Sequence, residues 1–197
     1  MNRCGWAESS DLMREYHDVE WGFPVDEDTR LFEKMCLEGF QSGLSWATIL
    51  NKRRDFRRVF ADFDPARVAR FGERDIERLL GDASIVRHRG KIESTINNAR
   101  RCLDLIGECG SIAAYVWRFE PPSGSRPTRI SAADVSGFIT SPESVALSKD
   151  LKRRGWSFVG PTTMYAFMQS MGLVNDHHDG CSTRGAVEAA REQFTRP

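Results

Sequence analysis

The stretch Ile85-Val86-Arg87-His88-Arg89-Gly90-Lys91-Ile92 places a short basic turn between two apolar segments. The second segment continues to Ile106 with apolar residues three or four positions apart, a spacing that predicts an amphipathic helix. Gly90 allows the backbone to turn sharply and to approach another chain closely. The N–H groups at the start of this helix, together with the flanking positive charges, predict a site for an anion such as phosphate.

The basic turn is typical of a helix-hairpin-helix motif, which grips a DNA backbone without reading its sequence. The candidate phosphate contacts are Arg87, Arg89 and Lys91, together with the backbone at Gly90. An ordinary turn between two helices that carries exposed basic residues has the same features. A single glycine, where many such hairpins have two, does not decide between the two interpretations.

Helical periodicity dominates the rest of the chain, and no segment shows sustained period-two alternation. Asp28 or Thr29 is the predicted cap of one helix, which ends near Ser42-Gly43. Other predicted helix starts lie at Ser45, Asp64-Pro65, Glu73, Lys91, Ser111, Ser141-Pro142 and Pro161 or Thr162. The sequence therefore predicts an all-α fold of roughly eight to ten helices, with a mobile loop at 120–128 and a weakly amphipathic helix at 185–194.

The bulk composition indicates one domain in a reducing compartment. The chain has 197 residues, 40% of them hydrophobic, which is enough for a core. No apolar run has the length of a membrane span, and the start MNRCGW lacks the apolar region of an export signal, so we expect a cytoplasmic protein. Five cysteines without regular spacing argue against a disulfide framework. Zero net charge disfavours attraction of nucleic acid by the whole surface but permits local basic patches.

A carboxylate and four aromatic residues in the first quarter of the chain are candidates for a binding pocket. Glu38 lies in an apolar helix, where a buried carboxylate needs hydrogen-bond donors or a positive charge as partner. The aromatic candidates, whose faces can stack on nucleobases and attract cations, are Trp6, Tyr16, Trp21 and Trp46. The alternatives are a helix-end glutamate at the surface and aromatic rings in an ordinary core.

Two pairs of soft metal ligands lie at opposite ends of the chain: Cys4 with His17, and His177 with Cys181. Together they have the Cys₂His₂ composition of a closed structural zinc site. His177 and Cys181 are four positions apart and can share one face of a helix. Spacing alone favours scattered core residues over a metal site. His178 can take the place of His177 as a ligand, and Asp179 is a further candidate.

Six motifs then occur in order along residues 3–181. They are Arg3-Cys4-Gly5-Trp6, Tyr16-His17-Asp18-x-Glu20-Trp21-Gly22, Leu37-Glu38-Gly39-x-Gln41-x-Gly43-Leu44-Ser45-Trp46, Arg87-His88-Arg89-Gly90-Lys91-Ile92, Phe158-Val159-Gly160 and Leu173-Val174-Asn175-Asp176-His177. In this combination the chain resembles the DNA-3-methyladenine glycosylase I family of the helix-hairpin-helix glycosylase superfamily.

The resemblance implies an enzyme that flips 3-methyladenine out of double-stranded alkylated DNA and cleaves its N-glycosidic bond. It implies a single glycosylase unit at 1–184, with a helix-hairpin-helix lobe at about 30–118, and a structural zinc that joins the termini. The implied ligands are Cys4, His17, His177 and Cys181. The implied base pocket is Glu38, Tyr16 and Trp46, with Trp6 and Trp21 nearby. Gly43 and Leu44 form the turn from which an apolar plug can fill the vacated space.

The chain departs from the family pattern at two places. Met13 stands where the family tends to have an aromatic residue, and the extension at 185–197 has no counterpart with a known role. Relatives in the superfamily use an aspartate shortly after the hairpin, whereas this chain has Asn97-Asn98-Ala99-Arg100 there and Asp104 farther on. Two alternatives remain open: a non-catalytic protein that binds alkylation damage, and a glycosylase whose range includes 3-methylguanine. We expect a monomer that releases free 3-methyladenine and has no membrane partner.

Overall fold

The computed structural model describes residues 2–127 and 129–197. Within those ranges the chain forms eleven α-helices and no β-strand, which confirms the predicted all-α fold. The helices are α1 (Asp11–Val19), α2 (Asp28–Gln41), α3 (Trp46–Val59), α4 (Pro65–Val68), α5 (Glu73–Gly81), α6 (Arg89–Cys109), α7 (Ile112–Val116), α8 (Ala132–Gly137), α9 (Pro142–Arg153), α10 (Pro161–Ser170) and α11 (Arg184–Gln193). In this part of the chain no helix is both long and apolar enough to cross a membrane.

The predicted number of helices is too low because short helices show little periodicity. The apolar pattern of the sequence does not predict α1 and α8, which have nine and six residues. A helix of that length repeats its apolar face only once or twice. The start of α1 nevertheless has a local signal, since the hydroxyl of Ser10 accepts a hydrogen bond from the Met13 N–H at 3.2 Å.

Local capping chemistry sets most helix starts where the sequence predicts them. The Ser45 hydroxyl caps α3 by accepting from the N–H of the third helical residue. The start of α2 differs, because Glu27, not Asp28 or Thr29, is its capping residue and accepts from the Thr29 N–H at 2.9 Å. Asp28 has another role: its carboxylate accepts a hydrogen bond from the N–H of Ala113 in α7.

The central helix of the core is α2, which packs against α3, α6, α7 and α10. All ten residues from Leu31 to Phe40 are buried. A helix buried on every side is normally apolar, yet α2 buries the charged side chains of Glu33, Lys34 and Glu38. Since buried charges are costly unless paired, each requires a partner inside the protein.

The segments before α2 and after α10 pack against each other. Gly172 has a φ of +80°, and a Cβ at this position would lie 2.5 Å from the backbone of Pro24, so only glycine fits. Nearer the termini, the N–H of Ser182 donates to the carbonyl of Asn2 at 2.8 Å. This packing brings the two ends of the chain together.

The C-terminal extension docks on the body of the protein. Val187 in α11 is fully buried. The ring of Phe194 packs on Trp117 with ring centroids 4.5 Å apart. Burial of these two apolar side chains is a stabilising contribution that the sequence alone did not assign to the extension.

The loop predicted to be mobile at 120–128 is attached to the protein at two points. Glu120 forms ion pairs with Arg191 and Arg196, each at 2.8 Å. Arg126 pairs with the buried carboxylate of Asp176. Thr128, the predicted end of the loop, lies outside the described residues.

Candidate active site and metal centre

Glu38 is the buried carboxylate of the candidate active site, with a relative exposure of 5%. Lys34 lies one turn earlier on α2, and its Nζ is 2.8 Å from Glu38 Oε1. The same ammonium group donates to the hydroxyl oxygen of Tyr16 at 2.8 Å and lies 3.2 Å from the ring centroid of Trp46. Burial lowers the pKa of Lys34, while the Glu38 carboxylate acts in the opposite direction. These four side chains form one charged and aromatic site.

Tyr16 and Trp46 are the aromatic walls of this site. Their ring centroids are 5.2 Å apart with planes inclined at 44°. Burial, followed by the nearby negative charge of Glu38, raises the pKa of Tyr16 well above its ordinary value, so the phenol stays protonated. The indole Nε1 of Trp46 is buried and has no hydrogen-bond partner among the described residues. Helices α1, α2 and α3 thus each supply one part of the site.

The other two predicted aromatic residues lie on the far side of Tyr16. The ring centroid of Trp6 is 6.2 Å from that of Tyr16 and 5.1 Å from that of Trp21. Trp21 in turn packs edge-on against His177, with centroids 4.7 Å apart. Trp6 therefore connects Tyr16 to Trp21, which packs against the metal-ligand candidates. Met13 is buried in the same small apolar cluster.

The four predicted metal ligands come together although they lie at opposite ends of the chain. The ligand atoms of Cys4, His17, His177 and Cys181 are all buried and all lie within 4.8 Å of one another. Cys181 Sγ is 3.3 Å from His177 Nδ1 and 3.4 Å from His17 Nε2, and Cys4 Sγ is 3.8 Å from His177 Nδ1. A buried set of two thiols and two imidazoles at these distances has the composition of a metal centre.

The remaining nitrogen of each histidine ring is held by a fixed partner. His17 Nδ1 is 2.8 Å from Asp18 Oδ1, and His177 Nε2 is 3.0 Å from the carbonyl oxygen of Trp21. Arg3 donates to Asp18 and holds the pKa of that carboxyl well below its usual range. Partners of this kind orient metal-bound histidines, so the arrangement extends beyond the four ligand side chains.

The C-terminal pair of ligands differs from the prediction in its backbone. His177 and Cys181 lie between α10 and α11, outside any helix, and a turn places Cys181 N–H on the carbonyl of His178 at 2.8 Å. His178, considered as an alternative ligand, instead directs Nε2 to the carbonyl of Arg3 at 3.3 Å. Asp179 pairs with the N–H of Ile130. The turn thus selects His177.

Burial controls the protonation of the cluster in the absence of metal. It raises the pKa of the Cys4 thiol to about 12, with the Cys181 thiol adding to the shift. It lowers the pKa of His177 to about 4. At neutral pH the metal-free protein therefore carries a protonated Cys4 thiol and a neutral His177 imidazole, so metal binding there must displace a proton from sulfur.

The basic turn lies at the start of α6, which begins at Arg89, two residues earlier than predicted. The ring Nδ1 of His88 caps the helix by accepting from the Lys91 N–H at 3.2 Å. Arg87 and Arg89 are exposed. Arg89 is paired on the surface with Glu73 at 2.8 Å. The turn thus presents two guanidinium groups and the first N–H groups of a 21-residue helix.

Lys91 points into the protein, unlike the two arginines. It is 7% exposed, and its Nζ donates to the carbonyl of Phe40 at 2.8 Å and to that of Ser42 at 2.5 Å. These carbonyls belong to the C-terminal end of α2, where a cation stabilises the helix dipole. The ammonium group predicted to contact phosphate is therefore engaged inside the protein, where it ties the basic turn to the end of α2.

Two exposed apolar side chains flank that connection. Gly43 has a φ of +79°, and the next residue, Leu44, is 43% exposed in the loop between α2 and α3. Phe158 is 38% exposed with a φ of +55°, a strained conformation for a bulky residue, and its ring lies 6.4 Å from that of His88. Asn98 fixes the adjoining backbone, since it accepts from the Ser157 N–H at 3.0 Å.

A sequence model described as methyladenine glycosylase matches residues 6–184. The chain belongs to the methyladenine glycosylase family. Its relatives include DNA-3-methyladenine glycosylase 1 of Escherichia coli (strain K12), which is 48% identical over 182 residues, or 92% of this chain and 96% of the relative. The DNA-3-methyladenine glycosylase of Haemophilus influenzae is 42% identical over 181 residues, or 91% of this chain and 96% of the relative.

Solved structures of methyladenine glycosylases have the same fold. A crystal structure of 3-methyladenine DNA glycosylase I superposes with a TM-score of 0.84 at 47% identity, covering 92% of this chain and 98% of the other. The Staphylococcus aureus enzyme, solved to explain its recognition of 3-methyladenine, gives a TM-score of 0.85 at 33% identity, covering 93% and 97%. The all-helical architecture therefore agrees with that of the family.

Two residues of this methyladenine glycosylase were missed at the sequence level. Lys34 lies four positions before Glu38, a spacing that indicates an ion pair on one helix face. Because such pairs usually lie on the surface, the spacing alone did not indicate that both partners are buried. Phe158 was quoted only as part of a motif, and its exposed position beside His88 depends on a backbone conformation that the sequence does not reveal.

Proposed function

We propose that this protein is a DNA glycosylase that excises 3-methyladenine from double-stranded alkylated DNA and leaves an abasic site. The observation that carries the proposal is the buried Glu38 carboxylate, which the Lys34 ammonium group links to Tyr16 and Trp46. A carboxylate and aromatic faces together suit a flat, positively charged base. The names of the relatives, which are 3-methyladenine glycosylases, support the same activity.

The substrate base is hidden inside the duplex and must be flipped out before it reaches the pocket. In this proposal the basic turn is a helix-hairpin-helix that holds the DNA backbone with Arg87, Arg89 and the first N–H groups of α6. Arg89 exchanges its exposed carboxylate partner for a phosphate at little cost, because surface ion pairs contribute about 0–1 kcal/mol. Lys91 contributes indirectly by positioning the turn.

Leu44 is the proposed plug for the space that the flipped base vacates. It is an exposed apolar side chain at the tip of a tight turn, and it follows a glycine in the left-handed conformation. Lys91 ties the carbonyl of Ser42 in this turn to the phosphate-binding helix. The proposed plug, Leu44, and the phosphate-binding start of α6 are thus tied to each other. This arrangement suits insertion of the plug into DNA at the same time as binding of the DNA backbone.

The chemistry proposed for the site needs little protonation of the leaving group. 3-Methyladenine is positively charged while attached to deoxyribose and therefore departs readily. Glu38 would accept a hydrogen bond from the adenine edge and offset the charge of the base, while Tyr16 and Trp46 pack on the ring. The region where relatives in the superfamily have an aspartate offers no carboxylate, and Asn98 in that region holds the backbone of Ser157.

The Cys/His cluster is the proposed site of a structural zinc ion. A tetrahedral zinc site with N and S ligands has ligand–ligand distances of about 3.3–3.8 Å. Three of the four sulfur–nitrogen distances in the cluster are 3.3, 3.4 and 3.8 Å, and all four ligand atoms lie within 4.8 Å of one another. The four ligands Cys4, His17, His177 and Cys181 leave no open position for water. The metal would fasten the two termini and hold the segment that carries Tyr16.

The catalytic unit is proposed to span residues 1–184, in agreement with the family match at 6–184. The extension at 185–197 supports it structurally. We further propose that the protein acts as a cytoplasmic monomer. Two variants of the function remain as outcomes of experiment: a protein that binds alkylation damage without cleavage, and an enzyme whose range includes 3-methylguanine.

The proposal is tested by release of free bases from methylated duplex DNA, with separate quantification of 3-methyladenine, 3-methylguanine and 7-methylguanine. Wild-type protein should release 3-methyladenine. Glu38→Gln should release it about tenfold to a hundredfold more slowly, since a hydrogen bond to a charged group is worth about 1.5–3 kcal/mol. Glu192→Gln, at an exposed position on α11, is the matched control and should behave as wild type.

Two results would change the assignment. Tight binding of methylated DNA without release of any base would identify a damage-binding protein. Unchanged release and unchanged 3-methyladenine binding in Glu38→Gln would exclude Glu38 from the pocket.

A further inference from the structure

We propose that Lys34 is an intramolecular competitor for the base, and that its ammonium group must leave Glu38 and the Trp46 face before a methylated base can bind. This inference rests on the function proposed above, because it takes the Glu38 site as the base pocket. It adds a residue that controls base affinity and product release.

The Lys34 ammonium group lies on the two groups that would bind the base. Its Nζ lies 2.8 Å from Glu38 Oε1 and 3.2 Å from the centroid of the Trp46 ring. These are the two groups that recognise a cationic base, the carboxylate through its charge and the indole through its face. The lysine satisfies both at once, and it also donates to the Tyr16 hydroxyl. In the free protein the ammonium group thus takes the role of the ligand.

The Lys34 ammonium group and the base in methylated DNA carry the same charge. A positively charged base and an ammonium group cannot both contact Glu38 without strong mutual repulsion in a site where every polar partner is buried. The side chain is able to yield, since lysine has a flexible four-carbon stem and loses its proton more readily when buried. Burial does lower the pKa of Lys34. The other charges that act on it are Glu20, which favours the ammonium form, and Arg53, which opposes it.

Lys34 would also affect release of the product base from the site. Once the N-glycosidic bond is cleaved, its electron pair stays with the base, so the free 3-methyladenine that remains between the aromatic walls is neutral. Return of the Lys34 ammonium to Glu38 and Trp46 would compete with it and so weaken product inhibition. A lysine that instead stays in place and donates a hydrogen bond to the base would strengthen base binding. Removal of the Lys34 charge should therefore tighten base binding if Lys34 competes with the base, and weaken it if Lys34 holds the base.

The test measures the dissociation constant of free 3-methyladenine by titration calorimetry at one pH, together with inhibition of base release by added 3-methyladenine. Lys34→Met keeps an unbranched side chain and removes the charge. It should bind 3-methyladenine on the order of tenfold more tightly, the size expected for removal of a buried cation–π competitor, and be inhibited at correspondingly lower concentration. Lys149→Met, at an exposed position on α9, is the control and should match wild type.

Lys34→Gln provides a second variant if Lys34→Met does not fold, because it retains a hydrogen-bond donor for Glu38 without the charge. Tighter base binding in either folded variant supports the competitor role. Equal or weaker binding in a folded variant overturns it. Failure of wild-type protein and all variants to release 3-methyladenine would overturn the proposed function instead, whereas release with unaltered affinity would reject the role of Lys34 alone.

Discussion

The Cys/His cluster and the aromatic pocket share one segment near the N-terminus but pair their polar groups in different ways. Cys4 and His17 belong to the cluster, while Tyr16, adjacent to His17, belongs to the pocket. In the cluster the outward ring nitrogens are held by a neighbouring carboxylate and by a backbone carbonyl. In the pocket the charge of Glu38 is balanced by a long side chain, that of Lys34.

In the proposed function, this difference separates a structural metal site from a base-binding site. The Trp21 carbonyl cannot move without unfolding a segment, and Arg3 holds the Asp18 carboxylate in place. The cluster therefore has one arrangement and contributes to stability. A lysine side chain can be exchanged for an external cation without a change of backbone, so the pocket can turn over. Loss of a cluster residue should therefore affect folding, and loss of a pocket residue should affect affinity and rate.

The largest effect should follow removal of a metal ligand. Cys181→Ser should abolish stoichiometric zinc, measured by mass spectrometry of the metal, and lower stability by about 4 kcal/mol, the contribution of a ligand present at a thousand times its dissociation constant. For a chain of this size that corresponds to a fall of about 10 °C in melting temperature. Cys109→Ser is the control, because this cysteine lies outside the cluster.

The same variant tests whether the Cys/His cluster has only a structural role. If Cys181→Ser protein that is fully folded at low temperature, or wild-type protein treated with a chelator, releases 3-methyladenine at the normal rate, the cluster is structural only. A loss of activity in Cys181→Ser or chelator-treated protein that is still fully folded would show that the cluster takes part in catalysis.

A smaller effect is expected at Lys91, whose pairing resembles that of the cluster because its partners are backbone carbonyls. Lys91→Met should lower the free energy of unfolding by about 1–3 kcal/mol, since the carbonyls of Phe40 and Ser42 lose a charged donor. Urea denaturation measures this loss. The variant should keep the salt dependence of DNA binding, because the ammonium group does not contact phosphate.

Arg87→Ala is the matched variant for Lys91→Met. It should leave stability unchanged and reduce the slope of the logarithm of DNA affinity against the logarithm of salt concentration by about 0.9, the value for one phosphate contact. The reverse pattern, with a reduced slope and full stability in Lys91→Met, would restore Lys91 to the phosphate-contacting role that the sequence predicted.

Features that depend on neighbouring residues were predictable from the sequence. Ser45 caps α3 as expected because capping involves only the next three residues. The assembly of Cys4, His17, His177 and Cys181 was available only through the resemblance, since the pairs are about 160 residues apart and no local rule joins them. Once the family is known, the order of motifs implies which side chains meet.

Features that depend on the depth of burial were not predictable. Lys34 and Lys91 have ordinary positions in the sequence, and an exposed lysine was the natural expectation for each. Their actual environment arises because α2 is buried on every side and because α6 starts against its end. α2 is buried because α3, α6, α7 and α10 all pack against it. The spacing of apolar residues within one helix does not predict how many neighbouring helices cover it.

The smallest effect is expected at Met13, which is buried in one apolar cluster with residues of both regions. That cluster includes Cys4, Tyr16, Trp21 and Cys181. Met13→Leu conserves volume and should cost less than about 1.5 kcal/mol of stability. Metal content should not change, because the ligands are fixed by other partners, and calorimetry should give a 3-methyladenine dissociation constant within about threefold of wild type. A parallel fall in metal content and base affinity would mean that the two sites are mechanically coupled through this side chain, and the separation of a structural site from a binding site would then fail.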